Sequence, residues 1–141
     1  AEVWAPQIEA LATTHHVIAI DMLGHGASVA PPEDATLEAY VNQARRLLDD
    51  LGISSANVVG HSMGGLVAMG LAIAKPQRVK RLAVLNSVFE RDAQARAAVE
   101  ARAVAIEPGM SFEATLERWF GSETSELRSR VANWLEAMDA G

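Results

Sequence analysis

The residues with the clearest chemical potential lie in one stretch, GHSMGG at residues 60–65. The stretch follows the apolar pair Val58 and Val59 and precedes an Ala-, Leu- and Met-rich run that extends to Ala74. In a G-x-S-x-G pattern between a strand and a helix, the serine occupies a very tight turn that exposes its hydroxyl. The stretch therefore indicates a serine nucleophile, Ser62, that attacks an acyl carbon.

The neighbours of this serine suit so tight a turn. The residues two before and two after the serine are expected to come too close for a Cβ atom, which explains Gly60 and Gly64. Gly65 is a further glycine of the same turn. The backbone N–H of Met63 begins the following helix, where partial positive charge collects, so we predict that it binds an oxyanion.

A serine hydroxyl also needs a base to take its proton and a third group to hold that base. The four histidines are His15, His16, His25 and His61, and none of them follows Ser62. His61 is adjacent to the serine, but neighbouring side chains diverge on a sharp turn, so it is not expected to be the base. His25 is interpreted as a loop histidine that hydrogen-bonds the backbone.

Composition is that of a globular protein. Of the 141 residues, 50% are hydrophobic and 21% are charged, and the formal net charge of −6 argues against binding nucleic acid. The absence of cysteine excludes disulfides and thiol chemistry. Because the histidines lack the spacing of metal ligands, no metal and no other cofactor is expected.

One uncharged segment, residues 51–74, has the length of a membrane span. Its glycines, its three serines, Asn57 and His61 instead favour a buried strand followed by a helix, so no membrane association is predicted. No signal peptide is evident, and the cytoplasm is the expected location.

Hydrophobic spacing predicts the elements around the serine. Residues 3–12 are predicted to form an amphipathic helix, and residues 17–21 a short apolar strand. The next helix ends at Gly52. Its apolar face consists of Leu37, Val41, Ala44, Leu48 and Leu51. With two more strands at residues 57–60 and 81–87, the pattern indicates an α/β fold with a parallel sheet of three strands.

The last third of the sequence is predicted to be helical throughout. One helix spans residues 90–106 and ends before Pro108-Gly109. A short helix follows, capped by Ser111 and stopped by Gly121, and a third covers roughly residues 123–139.

Two motifs together resemble the α/β-hydrolase fold family. The first is GHSMGG at residues 60–65, and the second is DMLGHGAS at residues 21–28, which is similar to the family's D-x-x-G-x-G-x-S signature. The resemblance implies that residues 1–88 are part of an α/β-hydrolase core and that residues 89–141 begin a helical cap over the serine. Helices that simply pack on the sheet are the alternative for the latter.

The resemblance also implies that catalytic groups are missing from this sequence. In the family the chain order is serine, then Asp or Glu, then His, and a second oxyanion donor comes from a His-Gly loop before the first helix. Asn86 stands near one place for the acid but cannot act as one, and the carboxyl groups of Glu90 and Asp92 lie nearby in the sequence. We therefore interpret the sequence as an internal fragment, cut before that loop and after the start of the cap.

The implied activity is hydrolysis of a small-molecule carboxylic ester, lactone, thioester or related acyl bond through an acyl-enzyme on Ser62. The fragment alone is expected to be inactive, because it lacks the acid and the base. Two alternatives stay open, namely a non-catalytic binding module of this fold and a member with other chemistry, such as C–C cleavage or perhydrolysis. The intact turn counts against the binding module, because binding needs no strained serine. Neither the substrate nor the oligomeric state can be read from the sequence.

The family's strand order adds a geometric expectation. There, the strand that bears the oxyanion loop separates the strands matching residues 17–21 and 57–60. These two segments should therefore not pair, and should lie about two strand spacings, roughly 9–10 Å, apart. Residues 57–60 and 81–86 should pair in parallel.

Overall fold

The computed structural model describes residues 1–88, 90–104 and 111–139. Backbone contacts divide the chain into two compact units, residues 1–90 and 91–141. The first unit contains α1 (Ala5–Leu11), α2 (Leu37–Asp50), β1 (Ala56–His61), α3 (Met63–Ala74) and β2 (Val79–Leu85). The second unit contains α4 (Ala93–Val104), α5 (Glu113–Phe120) and α6 (Glu126–Asp139).

The sheet is a parallel pair of strands, β1 and β2, with Val58 opposite Leu82 and Gly60 opposite Val84. Parallel neighbours need a crossover connection, and α3 supplies it between the two strands while packing on both of them. The predicted parallel pairing of residues 57–60 with residues 81–86 is therefore confirmed for all but the last position, because β2 ends at Leu85.

The predicted third strand, residues 17–21, is wrong. Among the described residues the sheet has two strands, and residues 17–21 have no regular secondary structure. An apolar run becomes a strand only where a neighbouring strand takes up its backbone hydrogen bonds, and here no described strand pairs with it. The absence of pairing between residues 17–21 and β1 agrees with the expectation from strand order. The distance between them stays a prediction.

The core of the first unit lies where α2 packs against α3. Its buried side chains are Val41, Leu48, Val67 and Leu71. Leu71 is only 1% exposed, and burying a leucine of this kind stabilises the fold by about 1.5–3 kcal/mol. The predicted apolar face of α2 is therefore confirmed at its centre, whereas Leu37 and Leu51 at its ends are 43% and 51% exposed.

An ion-pair cluster joins the end of α2 to the start of β2. The carboxylate of Asp49 accepts hydrogen bonds from Arg45 at 2.6 Å and from Arg78 at 2.5 Å. The hydrogen bond from Arg78 lowers the pKa of Asp49 below its ordinary value. Arg78 also donates to the carbonyl oxygen of Ile53 at 2.8 Å, so one side chain fixes the connection that leads into β1.

The second unit follows the predicted helices closely. The backbone N–H of Glu113 donates to the Ser111 hydroxyl at 3.2 Å, but the N-cap residue of α5 is Phe112, so the prediction of Ser111 as the cap is wrong by one residue. Gly121 ends α5 with a φ of 61°, as predicted. Leu116 is 4% exposed. The predicted boundary at residue 89 and the predicted helix end at Pro108-Gly109 lie outside the described residues.

The helices that the structure describes do not include one with both the length and the apolar character needed to cross a bilayer.

Candidate active site

Ser62 occupies a strained position between the end of β1 and the start of α3. Its backbone has φ 53° and ψ −119°, a region that residues with a Cβ rarely adopt. The side chain is exposed at the carboxyl end of β1. The local geometry is thus the tight strand-to-helix turn that the spacing of glycines predicts, with Ser62 exposed.

Close contacts, with backbone at Gly60 and with the Ser87 side chain at Gly65, explain two of the three glycines in the turn. A Cβ at Gly60 would lie 2.1 Å from the carbonyl oxygen of Gly64, so only glycine fits there. A Cβ at Gly65 would lie 2.7 Å from the Cβ of Ser87. The steric prediction for Gly64 is wrong, since a Cβ there would meet nothing within 4 Å. Gly64 crowds Gly60 with its carbonyl group, which any residue would carry.

The end of β2 holds the main chain of Ser62 on both sides. The N–H of Ser62 donates to the carbonyl oxygen of Leu85 at 2.9 Å. The Ser87 hydroxyl donates to the carbonyl oxygen of Ser62 at 2.8 Å. Asn86, between these two partners, has a φ of 46°. None of these contacts was predicted, because residues 62 and 87 are far apart in the sequence and their types carry no signal for the pairing.

Met63 is the first residue of α3, a helix of 12 residues. The first N–H groups of a helix have no intrahelical partner and lie at its positive end. The N–H of Met63 therefore has the position expected of a donor to an oxyanion beside Ser62. Its role in catalysis stays a prediction.

The described hydrogen bonds of the histidine side chains are to residues other than Ser62. Nδ1 of His25 hydrogen-bonds the carbonyl oxygen of Leu23 at 3.0 Å, which confirms the interpretation of His25 as a loop histidine. His61 is the exposed last residue of β1. In the part of the chain that the structure describes, no histidine hydrogen-bonds the Ser62 hydroxyl, and no cluster of three His, Cys, Asp or Glu side chains could hold a metal.

The D-x-x-G-x-G-x-S segment, residues 21–28, forms a tightly turned loop that we call the glycine loop. Gly24 and Gly26 have φ values of 76° and 53°. A Cβ at Gly26 would meet only the side-chain carboxylate of Asp21, which can move, so the positive φ is what requires glycine there. These positive φ values confirm the prediction that the two glycines give the backbone of this loop conformational freedom.

Gln43 on α2 holds the glycine loop with its side-chain amide. Nε2 donates to the carbonyl oxygen of Asp21 at 3.0 Å and to the Ser28 hydroxyl at 3.4 Å. Oε1 accepts from the N–H of Leu23 at 3.1 Å. The Ser28 hydroxyl in turn donates to the Asp21 carbonyl at 2.6 Å. Gln43 was not predicted, because a glutamine on a helix is usually solvated and nothing in its spacing marks a contact with the loop.

We expect Gln43→Leu to lower the free energy of unfolding by about 1–3 kcal/mol, because it leaves partly buried loop groups without partners. Gln43→Glu keeps the acceptor for Leu23 but loses the donor to Asp21, and should cost a similar amount. Urea unfolding measures both. Gln7→Leu, at an exposed position of α1, is the matched control. A Gln43→Leu variant as stable as Gln7→Leu would show that the amide does not hold the loop.

The chain is similar to known proteins over nearly its whole length. A family model described as the alpha/beta hydrolase fold matches residues 1–133. The chain is 45% identical over 139 residues to the (E)-2-((N-methylformamido)methylene)succinate hydrolase of Acinetobacter baylyi. That match covers 96% of this chain and 53% of the relative, so the chain spans about half the length of the curated relatives it matches.

Solved structures show the same likeness. A hydrolase from Pseudomonas aeruginosa superposes with a TM-score of 0.80 and 28% identity, covering 96% of this chain and 54% of that protein. The enol-lactonase from Burkholderia xenovorans has a TM-score of 0.69 and 33% identity, covering 99% of this chain and 53% of that protein.

Proposed function

Because this chain belongs to the α/β-hydrolase fold family, we propose that it carries the nucleophile of a serine hydrolase, Ser62. The observation that supports this proposal best is the backbone of Ser62, with a φ of 53° at the junction of β1 and α3. Such a conformation costs about 1–3 kcal/mol and is characteristic of functional sites. A serine whose only task was structural would have no reason to occupy it.

The proposed reaction proceeds in two steps. Ser62 Oγ attacks the carbonyl carbon, its proton passes to a base, and the N–H of Met63 stabilises the oxyanion that forms. The leaving group departs and an acyl-enzyme remains on Ser62, which water then hydrolyses. In a serine protease, removing one oxyanion donor lowers kcat by about 10²–10³-fold. The base and the acid are not assigned to described residues.

The proposed substrate is a small molecule with a carboxylic ester, lactone, thioester or related acyl bond. Two relatives support this class by their names. One is an enol-lactonase, and the other is a hydrolase whose named substrate carries an N-methylformamido group, an acyl bond to nitrogen. An assay should therefore include an N-acyl compound beside esters and lactones. The assignment of residues 89–141 to a cap and a cytoplasmic location also stay predictions.

Turnover of a substrate panel tests the proposal. The panel contains a p-nitrophenyl ester, a lactone, a thioester and an N-acyl amide, offered to the complete gene product and separately to residues 1–141. We expect the complete protein to hydrolyse at least one of them. For residues 1–141 alone, we expect a rate no higher than that of an enzyme with a disrupted triad. Such an enzyme accelerates the reaction roughly 10³–10⁴-fold over the uncatalysed reaction in water.

Two results would contradict this scheme. Strong esterase activity of residues 1–141 alone, lost in Ser62→Ala, would assign the base to one of the four histidines, His15, His16, His25 or His61. A complete protein that turns over no acyl compound would favour a binding module or a member that cleaves C–C bonds.

A further inference from the structure

The three residues Leu85, Asn86 and Ser87 form a clamp around the main chain of Ser62. Leu85 accepts the N–H of Ser62 at 2.9 Å, and Ser87 donates its hydroxyl to the Ser62 carbonyl at 2.8 Å. The carbonyl of Ser62 also accepts the N–H of Gly65 at 3.0 Å. Every polar main-chain group of the strained residue therefore has a hydrogen-bond partner, and two of these partners come from the segment that ends β2.

Asn86 gives the clamp its shape. His61 and Leu85 are the last paired residues of β1 and β2, so Ser62 and Asn86 are the residues that directly follow the two strands. The φ of 46° at Asn86 turns the chain so that the groups before and after it can both reach Ser62. Asparagine tolerates this left-handed region far better than β-branched residues do. The close approach of Ser87 to α3 is possible because residue 65 is a glycine.

We propose that Ser87 is a positioning residue for the nucleophile. Its hydrogen bond to the Ser62 carbonyl opposes relaxation of the strained main chain, and so keeps Ser62 Oγ aimed at the substrate carbonyl. This inference rests on the proposed function of Ser62. It assigns a task to a hydroxyl that lies beside the reacting residue and does not itself touch the reacting atoms.

The rate of covalent labelling by a fluorophosphonate probe tests the clamp in the complete gene product. Ser87→Ala removes the hydroxyl but keeps the Cβ. We expect the maximal labelling rate constant to fall roughly 3- to 30-fold, since small misplacements of reacting groups are costly. The probe concentration that gives half-maximal rate should not change, because the binding surface is intact. A purely structural role would lower the melting temperature and leave the labelling rate constant unchanged.

Control variants separate the possible causes. Ser87→Thr retains a hydroxyl and should restore most of the labelling rate. Ser54→Ala, at an exposed serine before β1, should label at the wild-type rate. Asn86→Gly should also label normally, whereas Asn86→Val, which disfavours positive φ, should label slowly. These Asn86 variants test the clamp even if Ser87→Ala does not fold.

The outcomes distinguish this inference from the proposed function. Labelling that persists in Ser62→Ala would refute the proposed nucleophile. Labelling that is lost in Ser62→Ala but proceeds at the wild-type rate in both Ser87→Ala and Asn86→Val would refute the clamp alone.

Discussion

Ser62→Ala is expected to abolish labelling of the complete gene product by a fluorophosphonate probe and to lower its turnover number by about 10⁶-fold, the loss seen when a serine nucleophile is removed. Alanine lacks only the hydroxyl oxygen, and the main-chain hydrogen bonds to Leu85 and Ser87 do not depend on that oxygen. The free energy of unfolding should therefore stay close to the wild-type value.

In-gel fluorescence after probe treatment measures the labelling, and urea unfolding of the same samples measures stability. Ser54→Ala, which removes an exposed hydroxyl before β1, controls for nonspecific reaction with serines. Labelling of Ser62→Ala at the wild-type level would place the nucleophile elsewhere. Loss of labelling together with loss of folding would instead show that the hydroxyl is structural.

Gly60→Ala is expected to lower the free energy of unfolding by more than about 3 kcal/mol, above the usual 1–3 kcal/mol for overpacking. The new methyl group would lie 2.1 Å from the carbonyl oxygen of Gly64 and 2.7 Å from the N of Gly65. Both atoms belong to the main chain at the start of α3, which cannot shift without breaking the turn.

Gly64→Ala is the matched comparison, because it adds the same methyl group four residues later. Nothing lies within 4 Å of a Cβ there, and alanine in a helix is favoured over glycine by about 0.5–1 kcal/mol. We expect this variant to be as stable as the wild type or more stable. Urea unfolding curves of the two variants measure this difference in the free energy of unfolding. Similar losses in both would show that the contact with the Gly64 carbonyl oxygen is not what requires glycine in this turn.

Local patterns were sufficient to predict the elements nearest the serine. The G-x-S-x-G spacing between Val59 and an Ala-rich run predicts a strand, a turn and a helix, and β1 and α3 lie on either side of Ser62 as expected. Gly121 ends α5 as predicted, and the predicted cap, Ser111, lies one residue before the N-cap, Phe112. Each of these features depends on residues within a few positions of one another, which is the range over which sequence patterns carry information.

Local patterns predicted features that depend on distant partners poorly, and the parallel pairing of β1 with β2 was expected from the family's strand order. Residues 17–21 have the composition of a strand, but strand formation depends on a neighbour that the residues themselves do not specify. The need for glycine at position 65 comes from Ser87, and the hydrogen bonds of Gln43 to the glycine loop span 15 to 22 residues. The steric prediction for Gly64 was wrong because the spacing shows that residues 60 and 64 approach each other but not which atoms make the contact. The contact is between the Cα side of Gly60 and the carbonyl group of Gly64.

The backbone of Ser62 also bears on any attempt to engineer this protein. Glycine adopts positive φ without a steric penalty, so replacing Ser62 with glycine would relieve about 1–3 kcal/mol of strain. The extra freedom of glycine in the unfolded chain would offset only about 0.4–1 kcal/mol of that gain. Selection for thermal stability alone would therefore favour loss of the serine. Stabilised variants should therefore be selected for activity as well as stability, because a substitution at this position that raises stability removes the activity.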